Sequence, residues 1–118
     1  MRAKDIICRE IEGLVEVRYA TASPCYKAGR KIKPDGVVTH SIGVAQPDVD
    51  VMFRNMNKTD AGWGVNIIMN NKRILLTLPW EHRPWGCGSG AKGSYNNSKF
   101  QFEICEPGGH TYNGGMMV

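Results

Sequence analysis

The alternation of apolar and polar positions is clearest late in the chain. In Lys99-Phe100-Gln101-Phe102-Glu103-Ile104-Cys105, one face carries Phe100, Phe102 and Ile104, and the other carries Gln101, Glu103 and Cys105. A period of two is that of a strand with one buried face. Residues 36–42 read as a second strand, with Thr39-His40-Ser41 near its carboxyl end. Val49, Met52, Phe53 and Met56 recur at i, i+3, i+4 and i+7, which predicts an amphipathic helix over 48–57 with Pro47 in its first turn. Strands follow over 63–69 and 73–78, with Asn70-Asn71 as a two-residue hairpin turn. Near the amino end, Ile7, Ile11, Leu14 and Val15 predict a short helix over 5–15, capped by Asp5 and weakened by Gly13. Ser23-Pro24 predicts a turn leading into a basic loop, Lys27-Ala28-Gly29-Arg30-Lys31. A glycine-rich loop spans 79–97, and a glycine-rich tail follows the last strand.

The order helix, strand, helix, strand, strand, loop, strand predicts an α/β fold, a mixed central sheet flanked by helices. At 118 residues the chain is expected to be one domain, 1–118. With no helix after the last strand, one sheet face should be thinly covered, an expectation of a truncated domain or of a homo-oligomer. An apolar content of 42% beside 22% charged residues excludes a disordered chain. No apolar stretch is long enough to cross a membrane, and charges interrupt the amino-terminal run too early for a signal-peptide core. A net charge of +4 is too small to point to nucleic acid, and the basic stretch 27–33 has no interleaved aromatics. Neither nucleic acid nor a membrane is expected as a partner. Cys8, Cys25, Cys87 and Cys105 contain no Cys-x-x-Cys pair, which argues against a zinc ribbon or a redox motif. Free thiols are the default, with room for one disulfide.

Glu103 and His40 are the candidate chemistry. A carboxylate and an imidazole on rigid strands can serve as the acid/base and the metal ligand of a metal-assisted hydrolase. Taken alone, a polar outer strand face explains Glu103 and a backbone-bonded core histidine explains His40.

Several stretches in order change that balance. They are Pro24-Cys25-Tyr26-Lys27-Ala28-Gly29-Arg30-Lys31 and Val38-Thr39-His40-Ser41-Ile42-Gly43-Val44-Ala45-Gln46-Pro47. Next come Thr77-Leu78-Pro79-Trp80-Glu81-His82-Arg83-Pro84-Trp85-Gly86-Cys87-Gly88-Ser89-Gly90, Asn96-Asn97-Ser98 and Phe102-Glu103-Ile104-Cys105-Glu106-Pro107. Together they resemble the zinc-dependent N-acetylmuramoyl-L-alanine amidases, whose fold is shared with peptidoglycan recognition proteins. The small amidases of clostridia, gut bacteria and their phages are the most similar in pattern. The resemblance implies the amino-terminal portion of that fold and cleavage of the amide between muramic acid and L-alanine. It implies His40 as the first zinc ligand and Glu103 as the catalytic glutamate, with peptidoglycan or a muropeptide as partner. It also implies a bacterial or phage-encoded protein that acts at the wall after release.

The chain departs from the family at Gly62-Trp63-Gly64-Val65-Asn66 and at Gly86, where members usually carry a larger polar residue. The two further zinc ligands of the family fall beyond Val118, so the zinc site is expected to be incomplete. His110 matches no family ligand, and Cys105 is either a thiolate ligand or a buried structural thiol. Trp80, His82, Arg83, Trp85 and Asn96 are the candidate substrate contacts, with Tyr95 and Lys92 beside them. Trp80 and Trp85 could equally anchor the loop to the sheet, and His82 could order it. Three readings follow: an amidase, a catalytically inactive muropeptide-binding module, or a structural fragment that oligomerises.

Overall fold

A computed structural model describes residues 13–88 and 95–109, together with the backbone of 112–113 and 116–117. In chain order the elements are β1 (Val15–Val17), α1 (Pro24–Ala28), β2 (Gly36–Ser41), α2 (Val49–Met56), β3 (Ile67–Met69) and β4 (Ile74–Leu76). A single 3-10 turn (Tyr95–Asn97), β5 (Lys99–Ile104) and a ribbon of β6 (Tyr112–Asn113) with β7 (Met116–Met117) complete them. Five strands form a mixed sheet in the order β1-β4-β3-β5-β2. Strands β2 and β3 both run parallel to β5, β4 is antiparallel to β3, and β1 is parallel to β4. The expected α/β class with helices packed on a mixed sheet is the one observed.

Register assigns the two faces. Ile68 lies opposite both Glu103 and Leu75, so these three share a face with Gln101 and Cys105. Val49 and Met56 of α2 and Cys25 of α1 bury against Ile68 and Leu75 on that face, with Met52, Phe53 and Trp85 packed around them. Asp48 starts α2 by accepting the Asp50 N–H at 2.8 Å, so Pro47 stands just before the cap. On the opposite face Ile67, Leu76 and Phe100 are buried with Val15, Tyr19, Met69, Ile74 and Phe102. Val17, Val37 and Ile104 on that side stay exposed.

Four local expectations are corrected. Gly13 and Leu14 are helical as expected, but Val15 already belongs to a strand, its backbone paired with Ile74; residues 5–12 of the expected helix lie outside the described residues. Pro24 opens a five-residue helix where a turn and basic loop were expected. Proline pre-sets the first helical φ, and Gly29 ends the helix at φ 64 while its N–H donates to Tyr26 O. The hairpin between β3 and β4 turns at Asn71-Lys72, one residue later than expected, with the Asn70 N–H donating to Arg73 O at 3.0 Å. Asn70 Oδ1 accepts the N–H groups of both Lys72 and Arg73 at 2.8 Å and holds the turn. Strand β3 begins at Ile67 rather than at residue 63, because Gly64 pairs only in an isolated bridge with Trp85. A Cβ on Gly64 would stand 2.7 Å from Cys25 Sγ, so α1 packs directly on its backbone.

A ring of ion pairs ties β1 and β4 to α2. Arg18 bonds Glu16 and Asp50 at 2.6 Å each, and Arg73 bonds the same two carboxylates at 2.8 Å. Hydrogen bonds from Arg73 and then Arg18 hold the Asp50 carboxyl below its ordinary range, and the same two guanidinium groups lower Glu16. A depressed folded-state pKa means stability that is present above the unfolded pKa and lost as pH falls through the folded one. All four side chains are 35–44% exposed, so solvent and salt weaken the ring. Asp50→Asn should therefore lower the melting temperature modestly at neutral pH. That difference should shrink in high salt and vanish in acid; a salt-independent loss would mean that packing, not charge, is the cause.

Candidate active site

Strands β2 and β5 bring the two candidate groups together. His40 lies directly opposite Glu103 in their parallel register, and Glu103 in turn lies opposite Ile68 of β3. Opposed residues of a parallel pair project to the same side. Helix α2 covers β3 and β4 on that side, whereas His40 and Glu103 stand near the β2 edge, both half-buried. Burial pushes the Glu103 carboxyl above its usual range, and the nearby His40 charge pulls the other way. An acid whose proton is held more tightly than usual, beside an imidazole, is suited to moving protons.

Behind His40 lies a chain of buried amides. Gln101 is fully buried and points to the same face as Glu103, two positions on. Its Oε1 is 2.9 Å from His40 Nε2, and its Nε2 is 2.9 Å from Asn96 Oδ1. The 3-10 turn places Asn96, 3% exposed, so that its Oδ1 also accepts the N–H groups of Gly86 at 3.1 Å and Cys87 at 2.9 Å. Cys87 Sγ lies 3.9 Å from His40 Nε2, and burial raises its thiol while a Gln101 hydrogen bond opposes the rise.

Gly86 is where the sequence suggested a lost polar group. The structure gives the opposite account: the backbone N–H supplies a hydrogen bond, and no room exists for a side chain. A Cβ there would overlap Gln101 Oε1 and stand 2.9 Å from His40 Nε2. Gly86→Ala is accordingly expected to lose about 1–3 kcal/mol through overpacking and to displace the His40 ring. Thermal melts and the His40 ring resonances would register both. An alanine variant with unshifted His40 signals would show that the loop moves aside freely.

The other expected site residues distribute differently. Trp85 packs into the helix-side core, and its backbone pairs with Gly64, immediately before Gly86. Arg83 is buried, donating from Nε to Asn97 Oδ1 at 2.6 Å and from its backbone N–H to Arg30 O at 2.7 Å. His82 is 6% exposed and acts as a clamp, with Nδ1 2.8 Å from Arg83 O, Nε2 3.1 Å from Tyr26 O and its ring stacked on Tyr26. Trp80 stacks on Phe100 at 5.1 Å, which puts it on the far face of the sheet. Trp80 and His82 line a cavity of about 570 Å³ with Tyr19, Tyr26, Lys31 and Pro79. That cavity follows the carboxyl end of β4, which runs against β2 and β5, so it lies at the opposite end of the sheet from His40. Of the five expected substrate contacts, Asn96 alone bonds directly into the His40 cluster. Tyr95 is exposed beside Lys99; Lys92 and His110 lie outside the described residues.

The described thiols follow the default expectation of free side chains. Cys105 is buried in the core, and burial followed by the Glu103 charge pushes its thiol up to about 11. Cys25 is pushed up to about 12 by burial. Both are inert packing groups, free of disulfides as is Cys87. The thiol near His40 is Cys87, which lay in a loop with no periodicity to place it. Gln101 was legible as a face-mate of Glu103, but its bond to His40 was not.

A catalytic zinc takes three protein ligands and a water. Among the described residues no three His, Cys, Asp or Glu side chains converge in that way. The described residues therefore do not make up a zinc site. No helix among them is long and apolar enough to cross a membrane.

Neither a family model nor any curated protein matches the sequence. Solved structures do. A mutant endolysin from Bacillus subtilis superposes with a TM-score of 0.64 at 23% identity, covering 79% of this chain and 61% of its own. The catalytic domain of XlyA gives a TM-score of 0.69 at 20% identity over the same shares, 79% and 61%. The Staphylococcus aureus hydrolase AmiA, solved with its ligand, gives 0.63 at 23% identity and covers 93% of this chain and 51% of its own. The chain thus spans between half and two thirds of the length of these structures. Its five-stranded mixed sheet with two helices is the α/β fold of endolysin-type amidase catalytic domains.

Proposed function

We propose that the chain is a peptidoglycan hydrolase that cleaves the amide between N-acetylmuramic acid and L-alanine. The observation that carries this reading is the juxtaposition of His40 and Glu103 across β2 and β5, on a fold shared with endolysin catalytic domains. In this reading Glu103 acts as general base toward the attacking water and returns the proton to the leaving amine. The C–N bond breaks, leaving a lactyl carboxylate on the sugar and a free amine on L-alanine. A carboxyl raised by burial is a stronger base than an exposed one and can still return the proton, which suits both half-reactions. His40 orients and polarises the same groove. The test is release of stem peptide from purified muropeptide, read by chromatography and mass, with and without chelator. Release with a new L-alanine amine is expected; intact muropeptide under every condition removes the reading.

Zinc belongs to the proposal through the resemblance, with His40 as one ligand. Elemental analysis of the purified chain tests it: zinc in stoichiometric amount would mean that residues outside the described ones complete the ligand set, and a metal-free chain that still hydrolyses would remove zinc from the scheme.

The absence of a three-ligand cluster among the described residues favours a second reading, a muropeptide-binding module without turnover. Calorimetry would then show saturable muropeptide binding unaffected by chelator alongside zero release. The exposed Val17, Val37 and Ile104 motivate the third expectation, self-association through the thinly covered sheet face. Sedimentation showing a monomer at high concentration would end it.

A further inference from the structure

We propose that Asn96 and Gln101 are positioning residues that lock His40 in its Nε2–H tautomer and leave Nδ1 as the ring's only nitrogen open to chemistry. A backbone nitrogen can only donate, so the Asn96 atom facing the Gly86 and Cys87 N–H groups at 3.1 and 2.9 Å is its oxygen. An oxygen at that point demands a donor from Gln101, so Gln101 turns its NH2 group toward Asn96 at 2.9 Å. The Gln101 oxygen must then face His40, and it stands 2.9 Å from Nε2. A carboxamide oxygen only accepts, so Nε2 carries the hydrogen and the lone pair of the neutral ring sits on Nδ1. Two backbone groups thus set the polarity of a side chain three links away.

Burial gives the relay its force. Gln101 is fully buried and Asn96 is 3% exposed, so neither amide can exchange its partners for water without a large penalty. Cys87 Sγ, 3.9 Å from the same Nε2, is too distant to compete with the Gln101 oxygen at 2.9 Å. Gly86 completes the arrangement, because any side chain there would occupy the space between Gln101 and His40. An imidazole whose second nitrogen is held by a fixed acceptor presents its first at a set angle.

The part this plays in turnover rests on the hydrolase reading above, but the tautomer does not, and the experiment separates them. The full chain, 15N-labelled at histidine, is examined by two-bond proton–nitrogen correlation above the pH range in which a free imidazole titrates. His40→Asn identifies the His40 signals against those of His82 and His110. Wild type is expected to show the pure Nε2–H pattern. Gln101→Met and Asn96→Leu, which remove the acceptor and its anchor in turn, are expected to show a mixture in which the Nδ1–H form is now populated. Asn96→Asp keeps an acceptor for the backbone donors and for Gln101, so it should retain the Nε2–H form. An Nδ1–H pattern in wild type, or an unchanged pattern in whichever of Gln101→Met and Asn96→Leu folds, overturns the proposal. In the hydrolysis assay Gln101→Met should lower kcat roughly 10–100-fold with little change in KM. A wild type that releases no peptide would sink the hydrolase reading and leave the tautomer result intact.

Discussion

Glu103→Gln is expected to lower kcat by about 10²–10⁴-fold, the range that a positioned acid/base contributes, while raising thermal stability at neutral pH. The two effects share a cause. Burial lifts the Glu103 carboxyl in the folded chain above its ordinary value of 4.5, and the His40 charge offsets only part of that. Between the unfolded and folded pKa values the native state binds more protons than the unfolded one, so stability falls as pH rises through that window. Above the window the full penalty of a desolvated carboxylate is in place, and glutamine removes it. Below the ordinary carboxylate range both side chains are neutral, and the two proteins should melt together. Melting temperature against pH for both chains, with kcat measured beside it, checks the coupling. A variant that melts lower than wild type at neutral pH would make Glu103 a structural anchor and not a strained functional group.

The sequence was informative where a pattern ran long enough to have a period. Six residues of β5 alternated cleanly, so the division of Phe100 and Phe102 from Gln101 and Glu103 was read correctly, but not the single buried face: Gln101 is fully buried while Ile104 is exposed. Eight residues of α2 carried a full stripe, and Val49 and Met56 are buried as that stripe requires. Strand β1 is three residues long and α1 is five, too short for either period to emerge. Their identities come from pairing with Ile74 and from the contact of Cys25 on Gly64. The site was half legible for a related reason. Residue types nominated His40 and Glu103, but their adjacency depends on the β2–β5 register, which no local signal encodes. His82 resolves the other way: of the two roles open to it, substrate contact and ordering of the loop, the fold uses the second, setting its ring nitrogens against backbone carbonyls of the loop and of α1, to one of which a neutral imidazole donates.

Asn66→Leu is expected to cost the fold about 2–6 kcal/mol, the sum of two buried polar groups left unpaired at about 1–3 kcal/mol each. Asn66 is fully buried. Its Oδ1 accepts the Gln101 N–H at 3.0 Å, and its Nδ2 donates to His82 O at 2.9 Å. Its own backbone N–H donates to Gln101 O at 3.0 Å, and its carbonyl accepts the Thr77 N–H at 2.9 Å. One residue therefore joins β5 at Gln101, the strand end after β4 at Thr77, and the loop that carries Gly86. Leucine keeps asparagine's branching and leaves no cavity, but its bulkier methyl groups add an overpacking cost to the lost hydrogen bonds. Thr77→Val provides the single-bond reference: its hydroxyl donates to Val65 O at 2.6 Å in the same buried layer, and its removal should cost about 1–3 kcal/mol. Denaturant midpoints with unchanged slopes are the measurement. A cost below that of Thr77→Val would mean that water reaches the Gln101 N–H and the His82 carbonyl. The loop holding Gly86 against His40 would then be hinged at Asn66, and the groove between β2 and β5 would be a shape the loop adopts rather than one the sheet imposes.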